Sequence, residues 1–263
     1  MSNKSILIPL VTPLNVQKKV CEFSVKALIE RTKSYTEGYI PCLTSGEGWK
    51  LSEEDWCDMV AYTRKYAPTH RIVAGIEKPT TEEVLRFAQL GAELGIDGII
   101  ITSPFDEAIS QEDIYQHYRK VHDQLSIDIY IYNESELSLN TTQPETLVRI
   151  SELPRVVGIK ESSNSEEFNA IRAHLQSNGV KVYQGWEDKI VDDRFADGNI
   201  CSLSNVYPQL CLQATQAPSD ELKSQIGELC ERHQIFAEDW YAHIKHFLNS
   251  TGVISSDYCF DPS

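Results

Sequence analysis

The sequence predicts an α/β protein folded as a (β/α)8 TIM barrel with additional C-terminal helices. Three observations predict it. Eight short β-branched runs recur along the chain, each is nearly continuous in apolar residues, and amphipathic stretches separate them. Continuous apolar runs are the mark of parallel strands buried on both faces, and strict alternation of strand and helix implies right-handed crossovers. A barrel of this kind takes about 250 residues, and the chain has 263. The expected organisation is one domain over 1–263, with the barrel at about 5–216 and the C-terminal helices at about 218–250. Eight units favour a closed barrel, although periodicity alone leaves an open doubly wound sheet as the alternative.

The predicted strands are Ile6–Val11, Gly38–Leu43, Arg71–Gly75, Asp97–Thr102, Ile127–Tyr132, Val156–Lys160, Val180–Gln184 and Asn199–Ser202. The helices carry their own start signals. Ser52-x-x-Asp55, Thr80-x-x-Glu83, Ser110-x-x-Asp113 and Ser163-x-x-Glu166 place a hydroxyl at the N-cap and a carboxylate three residues on, which satisfies amide groups that a helix start leaves unpaired. Pro144 falls in the first turn of another helix, where a missing N–H costs little. Helical spacing also links Val25, Leu28, Ile29 and Thr32. Leu222, Ile226, Leu229 and Cys230 form one C-terminal stripe, and Ala237, Trp240, Tyr241, Ile244 and Phe247 a second. The seventh unit is the weak one, because Gly185 to Gly198 leaves little room for a helix.

Composition narrows the function classes. Of the residues, 41% are hydrophobic and 24% charged, and the formal net charge is −15. Nucleic-acid binding needs Lys and Arg to neutralise phosphates, so no nucleic-acid partner is expected. The opening Met1-Ser2-Asn3-Lys4-Ser5 shows no signal-peptide pattern, and no apolar run approaches the 18 or so residues of a membrane span. The seven cysteines form no C-x-x-C pair, which reads as reduced core thiols in a cytoplasmic protein.

The active site of such a barrel lies at the C-terminal ends of its strands, and that rule selects few residues. Lys160 ends a Val-Val-Gly-Ile run. There it either sits desolvated with a lowered pKa, ready to attack a carbonyl, or snorkels to the rim or pairs with a nearby carboxylate. Tyr132 ends the neighbouring strand, where it either relays protons or packs at the rim. Thr44-Ser45-Gly46 offers hydroxyls and amides that suit a carboxylate, or an ordinary capped turn. His243-x-x-His246 lacks a third ligand and reads as a surface helix, Asp192-Asp193 reads as a solvated face, and Gly46-x-Gly48 is too short to be a dinucleotide fingerprint.

Together these residues resemble the dihydrodipicolinate synthase / N-acetylneuraminate lyase family of class I aldolases. The resemblance runs from roughly Ile8 to Pro208. It is carried by Pro9-Leu10-Val11-Thr12-Pro13, Thr44-Ser45-Gly46-Glu47, Ala74-Gly75, Tyr132-Asn133, Gly158-Ile159-Lys160-Glu161 and Gly198-Asn199-Ile200-Cys201-Ser202. It implies a Schiff base between Lys160 and pyruvate or a related 2-keto acid, with Tyr132 as proton shuttle and Thr44 as its relay partner. It also implies that Thr44 and Ser45 hold the keto-acid carboxylate and that Ile200 and Gly198 belong to the substrate pocket. No metal or external cofactor is implied. The implied partners are small molecules, a 2-keto acid and an aldehyde, with the chain a homo-oligomer, dimer or tetramer.

The sequence departs from the family pattern on the acceptor side. Glu134-Ser135-Glu136-Leu137 follows Tyr132-Asn133, and Leu137 stands where the synthase has an arginine for its second substrate's carboxylate. Phe105-Asp106 replaces a pair of tyrosines, Glu77 stands where a glycine usually follows strand three, and Trp49 and Lys50 replace smaller residues. Trp49, Lys50, Glu77, Asp106 and Leu137 therefore form a candidate acceptor pocket. The expected function is a lysine Schiff-base aldolase or lyase that is not true dihydrodipicolinate synthase. The alternatives are that synthase, a 2-keto sugar-acid dehydratase or hydratase-aldolase of the same family, and a non-catalytic keto-acid-binding relative.

Overall fold

In the computed structural model, which describes residues 4–163 and 165–260, eight parallel strands close into a barrel in simple sequence order. The strands are β1 (Ser5–Pro9), β2 (Gly38–Ile40), β3 (Arg71–Ile76), β4 (Gly98–Ile101), β5 (Asp128–Asn133), β6 (Val156–Glu161), β7 (Lys181–Gln184) and β8 (Gly198–Asn199). β8 returns to β1 through the pairs Ser5 with Gly198 and Ile6 with Asn199, so the open-sheet alternative is excluded. The Met1-Ser2-Asn3 opening lies outside the described residues, and among them no helix is long and apolar enough to cross a membrane.

Alternation along each strand divides the core. Leu7, Ile40, Val73, Ile100, Tyr130, Tyr183 and Ile200 point into the barrel and fill it. Ile6, Ile8, Ile72, Ile99 and Ile159 point outward, to a larger apolar layer beneath the helices. Both faces are thus dry, which is why the strands are apolar without interruption.

Helices cover the outside: α1 (Glu22–Thr32), α2 (Glu53–Tyr66), α3 (Thr81–Glu93), α4 (Gln111–Gln124), the single turn α5 (Ser135–Ser138), α6 (Pro144–Ser151), α7 (Glu166–Ser177) and α8 (Pro208–Gln216). Ser52, Thr80 and Ser110 cap their helices by accepting from the amides of Asp55, Glu83 and Asp113. The fourth predicted cap is corrected. Ser165 caps α7 through the amide of Phe168, because Ser163 gives its amide and hydroxyl to the Glu161 carboxylate instead. The seventh crossover holds only a short 3-10 turn, Glu187–Lys189, before β8. Asp193 also departs from expectation: it is no solvated residue but pairs with the largely buried Arg172 at 2.6 Å, whereas Asp192 is exposed.

Strands β2 and β8 are shorter than predicted, for local reasons. After Pro41 the backbone of Cys42 turns left-handed, with φ of 64°. After Asn199 the chain enters a 3-10 turn, Ser202–Asn205, held by Ser204 on the Cys201 carbonyl and by Asn205 on the carbonyls of Pro9 and Ser202. All seven cysteines are free thiols; Cys42, Cys201, Cys211 and Cys230 are buried, and Cys21, Cys57 and Cys259 are half-buried.

Two helices follow the barrel, α9 (Asp220–Arg232) and α10 (Trp240–Ser250). α10 packs against the Thr44–Gly46 and Ser202–Asn205 turns, at the catalytic end of the barrel.

Candidate active site

β5 and β6 set the centre of the site. Their register pairs Tyr132 with Lys160, so the two side chains enter the barrel mouth side by side. Lys160 Nζ donates to the Tyr132 phenol oxygen at 3.0 Å, and that oxygen lies 3.1 Å from Thr44 Oγ1. Lys160 and Tyr132 are each only 6% exposed, so their contact is nearly shielded from bulk water, while Thr44 is half-buried.

The Thr44 turn is shaped by its flanks. Cys42 and Glu47, both left-handed non-glycine residues, bracket it. The amides of Gly46 and Gly48 both close on the Leu43 carbonyl, and Thr12 donates to the Gly46 carbonyl at 2.7 Å. Gly75 is required beneath it, because a Cβ there would stand 2.6 Å from the Cys42 carbonyl oxygen. Strained conformations persist only where surrounding structure over-determines them.

Burial and pairing oppose one another at Lys160. Desolvation lowers its pKa, but contact with Tyr132 outweighs that and leaves it raised. The lowered lysine expected from the sequence is thereby corrected for the resting state. Burial also raises the Tyr132 phenol, against the pull of Lys160. Each group thus counters the effect of burial on the other, and addition to a carbonyl requires that Lys160 first lose a proton.

A cavity of about 300 Å³ opens above Lys160. Thr44, Ser45, Tyr132 and Lys160 line its floor, and Glu134, Glu136, Glu187 and Glu238 line its walls with Trp186, Phe236 and Trp240. Lys160 is the one cation among these lining residues. Burial raises the carboxyls of Glu134 and Glu187, and Glu187 accepts from the Leu203 amide at 3.1 Å. Ser45 Oγ lies 2.7 Å from Ser202 Oγ, which accepts from the Trp240 indole at 3.1 Å.

Other predicted site residues are placed elsewhere. Ile200 is fully buried beneath the floor with Leu7, Ile40 and Tyr132. Gly198 lies at the start of β8, where its missing Cβ lets Ser5 approach. Trp49 and Lys50 pack on Tyr241 of α10, with Lys50 Nζ 5.6 Å from that ring. Asp106 is exposed and caps the Ala108 amide. Leu137 leans on the inner cluster around Tyr132, and Glu77 is buried below Thr44. His243 and His246 pair separately with Asp239 and Asp257, and no group of three or more metal-ligating side chains occurs among the described residues.

The residues missed by sequence reasoning are Glu134, Glu136, Glu187, Trp186, Ser202, Phe236, Glu238 and Trp240. Glu134, Glu136 and Ser202 lay inside motifs already singled out. Trp240 read only as part of an apolar helical stripe.

Comparison with known proteins agrees with the fold. The model of the Dihydrodipicolinate synthetase family matches residues 2–263. The chain belongs to that family. Its members are class I lysine Schiff-base lyases, and this chain is one of them. This family member is 30% identical over 263 residues to 4-hydroxy-tetrahydrodipicolinate synthase of Listeria monocytogenes serotype 4b, covering 94% of this chain and 88% of that one. It is 29% identical over 217 residues to the protein of the same name from Anaplasma marginale, covering 81% and 72%. Its fold matches dihydrodipicolinate synthase from Bacteroides thetaiotaomicron with a TM-score of 0.90 at 22% identity, covering 99% and 93% of the two chains. It matches the Acinetobacter baumannii enzyme, solved with pyruvate, with a TM-score of 0.88 at 23% identity, covering 99% and 93%.

Proposed function

We propose that the chain condenses pyruvate or a related 2-keto acid with an aldehyde that carries no carboxylate near its reacting end, or runs the reverse cleavage, and that it is not the lysine-pathway synthase. The observation that carries the Schiff-base part is the continuous contact Lys160 Nζ, Tyr132 OH, Thr44 Oγ1 at 3.0 and 3.1 Å. A relative of the same fold was solved with pyruvate. Thr44 and Ser45 are the residues assigned to the keto-acid carboxylate.

In this reading Lys160 adds to the keto carbon, and the carbinolamine loses water to give a protonated imine. Loss of a proton from the adjacent carbon, or cleavage of its C–C bond, gives an enamine. The enamine carbon then bonds to the aldehyde carbon, and water releases the product and restores Lys160. Tyr132 passes the protons in these steps.

The wall residues support the acceptor part. A buried carboxylate needs a paired donor, best a bidentate arginine, yet carboxyl groups and aromatic rings form the walls and Lys160 is committed to the keto acid. The names of the relatives favour the synthase as the second reading. The homo-oligomeric state, dimer or tetramer, belongs to the proposal as well; light scattering of the purified chain tests it.

The deciding experiment is borohydride reduction with a panel of 2-keto acids, followed by intact mass and peptide mapping. Labelling at Lys160 that disappears in Lys160→Ala is expected. Labelling that persists in Lys160→Ala, or none with any keto acid, would favour a binding protein instead.

A further inference from the structure

Three polar side chains run in a line from the C-terminal helix to the floor of the cavity. Trp240, the first residue of α10, donates its indole N–H to Ser202 Oγ at 3.1 Å, and Ser202 Oγ lies 2.7 Å from Ser45 Oγ. All three residues line the cavity above Lys160. Ser45 and Ser202 are 157 residues apart in the chain, and Ser202 and Trp240 are 38 apart.

Donor and acceptor chemistry gives the line a direction. An indole N–H donates and cannot accept, so Ser202 Oγ commits a lone pair to Trp240 and keeps its own hydrogen to give. Each serine hydroxyl has one hydrogen, and the contact between the two uses one of them. A carboxylate only accepts. A Ser45 hydroxyl that donates to a carboxylate must therefore receive from Ser202. The whole line then runs one way, from indole to Ser202, to Ser45, to carboxylate, and hydrogen bonds aligned in sequence polarise one another. Ser45 is 2% exposed, so bulk water competes little for its hydroxyl.

We propose that Trp240 is a positioning residue for the keto acid: through Ser202 it turns the Ser45 hydroxyl hydrogen toward the substrate carboxylate. The inference rests on the Schiff-base reading of the site and on its use of Ser45 for that carboxylate. Trp240 acts through Ser202 and takes no part in the steps at Lys160.

The turn that carries Ser45 meets α10 at two further places. Lys245 pairs with Glu47, and the Tyr241 ring meets Trp49 edge-on with centroids 5.8 Å apart. α10 thus fixes the position of the turn through Glu47 and Trp49, and the orientation of one hydroxyl on it through Ser202. The C-terminal helix is in this scheme part of the keto-acid site and not only a cover on the barrel. By reciprocity, a bound carboxylate strengthens the hold of Trp240 on Ser202.

The test compares pyruvate with acetone, which has a keto carbon and no carboxylate. Borohydride-trapped labelling at Lys160 is followed against the concentration of each in the wild type, Trp240→Phe, Ser202→Ala and the double variant. In Trp240→Phe the half-saturating pyruvate concentration is expected to rise by about 10-fold, with the limiting rate nearly unchanged. The rate of labelling by acetone is expected to stay at the wild-type value. Ser202→Ala should show the same split, and the double variant should be no worse than Ser202→Ala alone, because both changes cut one line. Equal losses for pyruvate and acetone would overturn the proposal, since a packing role of the indole does not distinguish them. An unmoved half-saturating concentration, or penalties that add in the double variant, would overturn it as well. If Trp240→Phe does not fold, the Trp240 indole proton resonance decides in the intact wild type. It is expected to move downfield with pyruvate and not with acetone, and an equal response to both overturns the proposal. Absence of any label at Lys160 with every 2-keto acid sinks the Schiff-base reading and this inference together. Normal labelling, with pyruvate and acetone affected alike in the variants, sinks this inference alone.

Discussion

Lys245 of α10 and Glu47 of the turn after β2 form an ion pair in which both side chains are fully buried. The pair is also hydrogen-bonded outward. Glu47 accepts from the Phe260 amide at 2.8 Å, and Lys245 donates to the Tyr258 carbonyl at 3.1 Å. The C-terminal segment thereby clamps the turn that carries Thr44 and Ser45. Removing one partner strands a buried charge, which typically costs about 3–5 kcal/mol. Lys245→Met is therefore expected to lower the thermal midpoint by about 10 °C and to raise KM for the keto acid. Adding Glu47→Leu should recover much of the stability and none of the keto-acid affinity. Scanning calorimetry and steady-state kinetics on the single and double variants check both; a single variant as stable as the wild type would show the clamp to be idle.

Tyr132→Phe keeps the ring and removes the oxygen that links Lys160 to Thr44. Turnover is expected to fall by about 10²–10⁴-fold, the usual effect of losing a placed acid/base group, with the far-ultraviolet dichroism spectrum unchanged. Near wild-type turnover would take Tyr132 out of the mechanism.

Thr44→Val preserves shape and loses the hydroxyl. If that hydroxyl holds the keto-acid carboxylate, its charge-assisted bond is worth about 1.5–3 kcal/mol, so the pyruvate dissociation constant should rise by about 10- to 100-fold. Calorimetric titration in the Lys160→Ala background isolates binding from chemistry. An unchanged constant would place the carboxylate elsewhere.

Aspartate semialdehyde is expected to be a poor acceptor beside neutral aliphatic and aromatic aldehydes. Lys50, the residue nearest in sequence that could answer an anionic group, is held against Trp49 and Tyr241, and carboxyl groups line the cavity walls. A side-by-side steady-state comparison settles it. A kcat/KM for the semialdehyde of about 10⁴ M⁻¹s⁻¹ or more, above that of the neutral aldehydes, would restore the synthase reading.

Glu77 also predicts a pH dependence of stability. Burial raises its carboxyl from 4.5 to about 8, so between those values the folded protein holds a proton that the unfolded chain has released. Stability contributed by this group is present below about pH 4.5 and is lost as pH rises toward 8, by about 1.4 kcal/mol per pH unit. Glu77→Gln should thus be more stable than the wild type at pH 9 and nearly equal to it at pH 4.5. Denaturant unfolding at several pH values measures the difference, and a gap that does not widen with pH would contradict it.

Much of the fold was legible because its signals are local. The apolar runs that became β1 to β8, the caps at Ser52, Thr80 and Ser110, and even the missing seventh helix follow from periodicity, capping chemistry and chain length, which neighbours in sequence decide. The rule that strand ends carry the chemistry then selected Lys160, Tyr132 and Thr44 without any contact information, and these three do meet.

What the sequence by itself determined is therefore the barrel and the residue types at its mouth. Tertiary structure alone decided which distant groups complete the site. Lys245 lies outside every motif in the sequence, and packing buries it against Glu47, 198 residues away in the chain. Trp240 reads as core until its indole reaches Ser202. Glu77 read as part of the acceptor pocket, yet Gly48 closes over it and leaves it beneath Thr44. Burial alone would lower the Lys160 pKa, one of the two readings the sequence allowed, and contact with Tyr132, joined by Cys201 and Glu187, raises it instead. Burial and pairing are properties of what the rest of the chain brings near a residue, and no local pattern carries that information.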